Sequence, residues 1–140
     1  MVRGSSRPLP DRILALAGRA LVAPMFVING VETFRHPDHP VGMASDFLDH
    51  WAGRLGLPLQ DWTALVRANA VLHVVAGACL AAGWHRREAA LTLAASLLPT
   101  TLAAHSFWTV DGPSRREEQI AFLANTAAMG ALLSVAASES

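Results

Sequence analysis

Four apolar stretches, at about residues 13–35, 63–84, 88–108 and 119–137, fill most of this chain, and its charged residues collect in the gaps between them. An α-helix rises ~1.5 Å per residue, so ~20 apolar residues cross a hydrocarbon core ~30 Å thick. Each stretch has about that length, and a 140-residue chain in water has no interior large enough to hide four of them. The expected fold is all-α, an antiparallel four-helix transmembrane bundle formed by one domain over residues 1–140.

Composition narrows the function classes. Hydrophobic residues make up 52% of the chain and charged ones only 16%, which places it on the apolar side of ordinary globular domains. Eleven basic and eleven acidic residues cancel, so no general electrostatic pull toward nucleic acid is expected. Cys79 is the single cysteine, which excludes an intramolecular disulfide and a Cys-x-x-Cys redox pair. The chain has no phosphate-binding glycine loop and no complete catalytic triad, and no intrinsic cofactor motif is evident.

The first apolar run follows Arg3, Arg7 and Arg12, an arrangement shared with secretory signals. Arg19 interrupts what would be the signal core and the run continues to Phe34 without a small-residue cleavage motif, so it reads as a retained first helix. Arginines near the span ends set the expected orientation. The N-terminal tail and the tight turn holding Arg86 and Arg87 carry five, against four for Arg35, Arg54, Arg115 and Arg116 on the opposite side. Both termini are therefore expected in the cytoplasm, with Trp51, Trp62, Trp84 and Trp108 at the membrane interfaces in contact with lipid.

The first outer loop, from about His36 to Asp61, is too long for a simple turn. Its opening, His36-Pro37-Asp38-His39-Pro40, is expected to be non-helical because of its prolines. Beyond it, Phe47, Leu48, Trp51 and Leu55 recur at helical spacing while Asp46, Asp49, His50 and Arg54 take other faces. This pattern predicts a short amphipathic helix on the outer membrane surface, ended by Gly56 and Pro58 and serving as a lid or as a docking surface.

Polar side chains inside spans are costly in hydrocarbon, so they mark partners or function. Glu32 in the first span, Asn69 and His73 in the second, His105 in the third and Asn125 in the fourth fall toward the outer leaflet and form one candidate polar pocket. Asn69 and His73 are four apart and share a helix face. Two readings stand: interhelical hydrogen-bond glue, or a pocket that handles protons or binds a polar head group such as a quinone carbonyl. A metal held by Glu32, His73 and His105 has the right donor types but no ligand spacing. Arg19, about two turns inside the inner end of the first span, is expected to snorkel toward Glu88 or lipid phosphate. Pro99 removes a hydrogen bond within the third span, and Thr100, Thr101 or a neighbouring helix are expected to satisfy the freed carbonyl. Gly77, Ala81 and Gly130 offer small surfaces for close helix packing.

Segments across all four spans resemble the DoxX family of small bacterial membrane proteins. His105-Ser106-Phe107-Trp108, Gln119, Phe122-Leu123-Ala124-Asn125 and Gly130-Ala131-Leu132-Leu133 are similar to that family's C-terminal signature. Arg19, Phe26, Gly30 and Phe34-Arg35-His36-Pro37 resemble its first helix and exit, and Gly56-Leu57-Pro58 resembles the turn into its second. Two positions depart: His73 stands where the family often has Glu, and Ala124 where it often has Lys. The resemblance implies a multi-pass protein of the bacterial cytoplasmic membrane. Some relatives are linked to thiosulfate:quinone oxidoreduction or membrane redox complexes, which implies an accessory subunit with a redox-protein partner, not catalytic alone. A quinone- or lipid-binding protein and a small transporter are the alternatives, and self-association into a homo-oligomer stays open.

Overall fold

The computed structural model describes residues 8–58 and 61–138, and these form helices joined by short connections. Four helices are long and apolar enough to span a membrane: α1 (Leu9–Arg35), α3 (Thr63–Ala82), α4 (Arg86–Ala104) and α5 (Pro113–Ser138). A fifth, α2 (Asp38–Leu55), fills the first long loop. Arg3 and Arg7, two of the tail arginines counted for orientation, lie outside the described residues.

The spans run antiparallel in chain order, which defines two ends of the bundle. The loop face carries α2 and the α4–α5 connection; the turn face carries the start of α1, the Gly83–His85 turn and the end of α5. That turn is tight because two residues adopt left-handed backbone, Gly83 at φ 75° and His85 at φ 46°. Glycine takes that conformation freely, whereas a residue with a Cβ is strained there.

Several element boundaries differ from those read off the sequence, and three of them bear on the loop face. Helix α2 starts at Asp38, so Pro40 lies within its first turn. The first four N–H groups of any helix lack an internal partner, and a proline there forfeits nothing. The prolines thus begin this helix rather than forbid it, and at 18 residues it is not short. Its end matches the sequence reading, with Gly56 left-handed at φ 66°. Helix α4 stops at Ala104, because His105 and Ser106 leave helical backbone before one 3-10 turn at Phe107–Thr109. Helix α5 begins at Pro113, taking in Arg115, Arg116, Glu117 and Glu118, which the sequence reading placed in a loop.

Lipid offers no hydrophobic drive for helices to associate, so close packing falls to small residues. The α1–α3 seam shows this most clearly. A Cβ on Gly30 would lie 2.8 Å from the Ala70 carbonyl oxygen and 2.8 Å from Val74 Cγ2, so only glycine permits this approach. One face lower, Gly77 sits against Val27, Phe26 and Ala23. Gly130, by contrast, has open space around it and closes no seam, contrary to its expected role, and Ala81 is exposed. The core is alanine-rich, with Phe26, Leu80, Leu93 and Leu132 as its largest apolar side chains. Helix α2 packs against α4 and α3, pinned by Trp62, whose indole Nε1 donates to Asp49 Oδ1 at 2.7 Å. Trp62, expected at the lipid interface, is therefore 6% exposed and buried beneath α2, whereas Trp51, Trp84 and Trp108 stay exposed.

Candidate functional site

The polar side chains of the spans meet at the α3–α4 seam. Asn69 and His73 on α3 face Ser96 and Thr100 on α4, each pair separated by four residues and so one helical turn apart. Ser96 Oγ is the hub: it donates to Asn69 Oδ1 at 2.5 Å and lies 2.9 Å from His73 Nε2. A hydroxyl has one proton to give. Because Asn69 receives it, His73 must donate from Nε2, which determines the imidazole tautomer. Asn69 Nδ2 in turn donates to Thr100 Oγ1 at 3.4 Å, and Thr100 donates to the Ser96 carbonyl at 2.9 Å. The His73 ring is 8% exposed and meets Phe26 edge-on, with ring centres 5.4 Å apart. Every hydrogen bond of this quartet ends on another span side chain or on the helix backbone.

The other sequence candidates lie elsewhere. Glu32 is exposed on α1, 3.9 Å from His36. His105 Nδ1 lies 2.7 Å from Glu118 Oε2, tying the end of α4 to α5 beside a cluster of Phe107, Trp108 and Phe122. Asn125 is half-buried on α5, and among the described residues no hydrogen bond joins its side chain to the quartet. The five residues therefore divide among separate places instead of enclosing one pocket. Glu32, His73 and His105 do not come together, and among the described residues no group of three His, Cys, Asp or Glu side chains is set to hold a metal ion.

Arg19 also differs from expectation. Its side chain does not snorkel to lipid; it is 9% exposed and turned into the bundle, where a Cβ on Gly83 would come within 3.2 Å of its Nη1. Its Nε and Nη1 are buried without a hydrogen-bond partner. The C-terminal end of α3, where Gly83 sits, carries the negative pole of that helix and favours a cation there. Thr100 and Thr101 donate to the carbonyls of Ser96 and Leu97, their own i−4 partners, and not to the Ala95 carbonyl that Pro99 frees.

Sequence reasoning missed Ser96, Thr100 as a member of the quartet, Glu118, and Pro24 inside α1. A signal for the first two existed in the spacing. Counted from the α3–α4 turn, Ser96 stands nearly as far along α4 as His73 stands back along α3, and Thr100 matches Asn69 in the same way.

Outside the spans, Asp61 precedes α3 and accepts the Thr63 backbone N–H at 2.8 Å. Hydrogen bonds from the Thr63 side chain and backbone, with the Arg67 charge adding less, hold its carboxyl below the ordinary aspartate value.

Among known proteins, no curated protein and no solved structure matches the chain. The family model described as DoxX matches residues 14–106, a span that takes in nearly all of α1 and the whole of α2, α3 and α4. The match stops at Ser106, so most of the C-terminal signature, from Phe107 to Leu133, falls beyond it. A family-model match over two thirds of the chain, borne out by four apolar spans, makes this membrane protein a member of the DoxX family.

Proposed function

We propose that this DoxX-family chain is an accessory or anchoring subunit of a redox complex in the bacterial cytoplasmic membrane, with both termini cytoplasmic. The observation that carries the reading is the closure of the α3–α4 quartet. Asn69, His73, Ser96 and Thr100 spend their hydrogen bonds on each other and on backbone, so they serve to fasten two helices. A chain whose polar span residues are committed to its own assembly contributes position rather than chemistry. The redox association rests on the family resemblance, and the orientation on the arginine count of five against four.

The second reading is a quinone- or lipid-binding protein. An outer polar pocket asked for Glu32, His73 and His105 in one place, and each has a different partner. A transporter ranks third, since the polar residues of the spans do not line a continuous path.

The test is purification from the native membrane in mild detergent, with every accompanying protein identified and its stoichiometry measured. The reading expects a stoichiometric partner bearing flavin, haem or a reactive thiol. Recovery of the chain alone would overturn it.

A further inference from the structure

A groove of about 230 Å³ opens toward lipid along the α1–α3 seam near the loop face, lined by Val31, Phe34, Arg35, Val71, Val74 and Val75. Its wall is almost wholly apolar, and Phe34, Val71 and Val75 remain half exposed within it. The basic residues stand at one end only. Arg35 is the last residue of α1, and Arg67 belongs to the second turn of α3, with its guanidinium 5.8 Å from the centre of the Phe34 ring. The two helices are antiparallel, with Gly30 against Ala70 and Val74 and Gly77 against Phe26 and Val27, so Arg35 and Arg67 share one depth at the membrane boundary. Val75 is eight residues further along α3 than Arg67, which places the deepest part of the groove ~12 Å below the arginines. Positive charge at head-group level above an apolar slot is complementary to one kind of molecule, an anionic amphiphile with its charge above its chain.

We propose that this groove is a binding site for an anionic membrane phospholipid, its phosphate held by Arg35 and Arg67 and one acyl chain lying along Val31, Val71, Val74 and Val75. Arginine suits the phosphate because its planar fork donates two hydrogen bonds at once. Glu32 and Asp38 each lie three residues from Arg35, and among the described residues neither makes an ion pair with it; Glu32 lies 3.9 Å from His36. Asp61 attracts Arg67 only weakly and, among the described residues, makes no ion pair with it, so both guanidinium groups keep donors for a phosphate. The site stands apart from the α3–α4 quartet and does not depend on a redox partner.

The test uses the full chain, purified alone in detergent and examined by native mass spectrometry after addition of phosphatidylglycerol or phosphatidylcholine with identical acyl chains. Two arginines near a membrane surface favour the anionic lipid by about thirtyfold, and that is the preference expected. The Arg35→Gln/Arg67→Gln variant should bind both lipids equally, and Val71→Phe, which fills the slot and leaves the charges, should lose phosphatidylglycerol. Helix content and elution volume confirm that both variants fold. Equal retention of the two lipids by the unaltered chain would overturn the proposal. So would full phosphatidylglycerol retention by Val71→Phe, which would reduce the site to surface charge.

Discussion

Replacing Gly30 by alanine should push α1 and α3 apart. The new Cβ would stand 2.8 Å from the Ala70 carbonyl oxygen, 2.8 Å from Val74 Cγ2 and 3.2 Å from His73 Cβ, with the first of these on backbone that cannot rotate away. Ordinary contacts between carbon atoms lie at ~3.5–4.0 Å, so the helices must separate by something near half an ångström or more. Overpacking of this kind costs ~1–3 kcal/mol, offset in part by the ~1 kcal/mol that alanine gains over glycine in a helix. A net loss of up to ~2 kcal/mol follows for Gly30→Ala. Gly130 supplies the control: nothing lies within 4 Å of its added Cβ, so Gly130→Ala should gain up to ~1 kcal/mol. The assay is reversible unfolding of both variants in bicelles by steric trapping, read as a difference of ~1–3 kcal/mol between them. Adding Val74→Ala to Gly30→Ala should restore only part of the loss, because the Ala70 carbonyl stays in place. If Gly30→Ala is as stable as Gly130→Ala, the close approach of α1 and α3 is not what joins them.

Ser96→Ala should destabilise the bundle more than Thr100→Ala, because it leaves both Asn69 Oδ1 and His73 Nε2 without a partner. Interhelical hydrogen bonds in membranes average ~0.6 kcal/mol and reach ~1.7, so steric trapping should find ~1–2 kcal/mol for Ser96→Ala, and equal losses for the two variants would contradict the hub assignment. Trp62→Phe removes the indole donor to Asp49 and should free α2, seen as faster trypsin cleavage after Arg54; an unchanged cleavage rate would show that apolar packing alone holds α2. The Asp61 carboxyl is depressed in the folded chain, so its contribution to stability is present above the unfolded aspartate value of ~3.9 and is lost as pH falls through the lower folded value. Carbon-13 titration of Asp61 should place its midpoint below that of a model peptide, and a midpoint at or above it would show that the Thr63 hydrogen bonds do not hold the carboxylate.

The spans were legible because length and apolarity are the whole requirement for crossing a bilayer; three emerged within four residues of their helix limits, and the fourth was read six residues short of the start of α5. Ends were less so. Pro37 and Pro40 look like helix breakers until one asks whether their missing N–H groups would have had partners, and in a first turn they would not. The polar site was half visible. Asn69 and His73 stood out by cost in hydrocarbon, but Ser96 is small, common in membrane helices and silent until matched against the residue facing it across the turn. Grouping Glu32, His105 and Asn125 with them failed because depth along a helix says nothing of rotation about it, and one residue turns a side chain by ~100°. Arg19 misled for a related reason: snorkelling is the usual escape for an arginine on a lipid-facing surface, and the sequence does not say that this one faces inward.

The spacing of the α3–α4 quartet works as a vernier. Hydrocarbon resists the sliding of one apolar helix past another only weakly, so two alanine-rich spans have no strong preference for one alignment. Shift α4 by a turn in one direction and Thr100 meets His73 while Ala104 meets Asn69; shift it in the other and Asn69 faces Ser96 and His73 faces Thr92, while Thr100 is left over. Only the native alignment engages Asn69, His73, Ser96 and Thr100 all at once. At ~0.6 kcal/mol each, the three bonds across the seam are together worth ~2 kcal/mol in the native alignment. What reads as sparse polarity in a greasy chain is thus the scale mark by which two of its helices find their height.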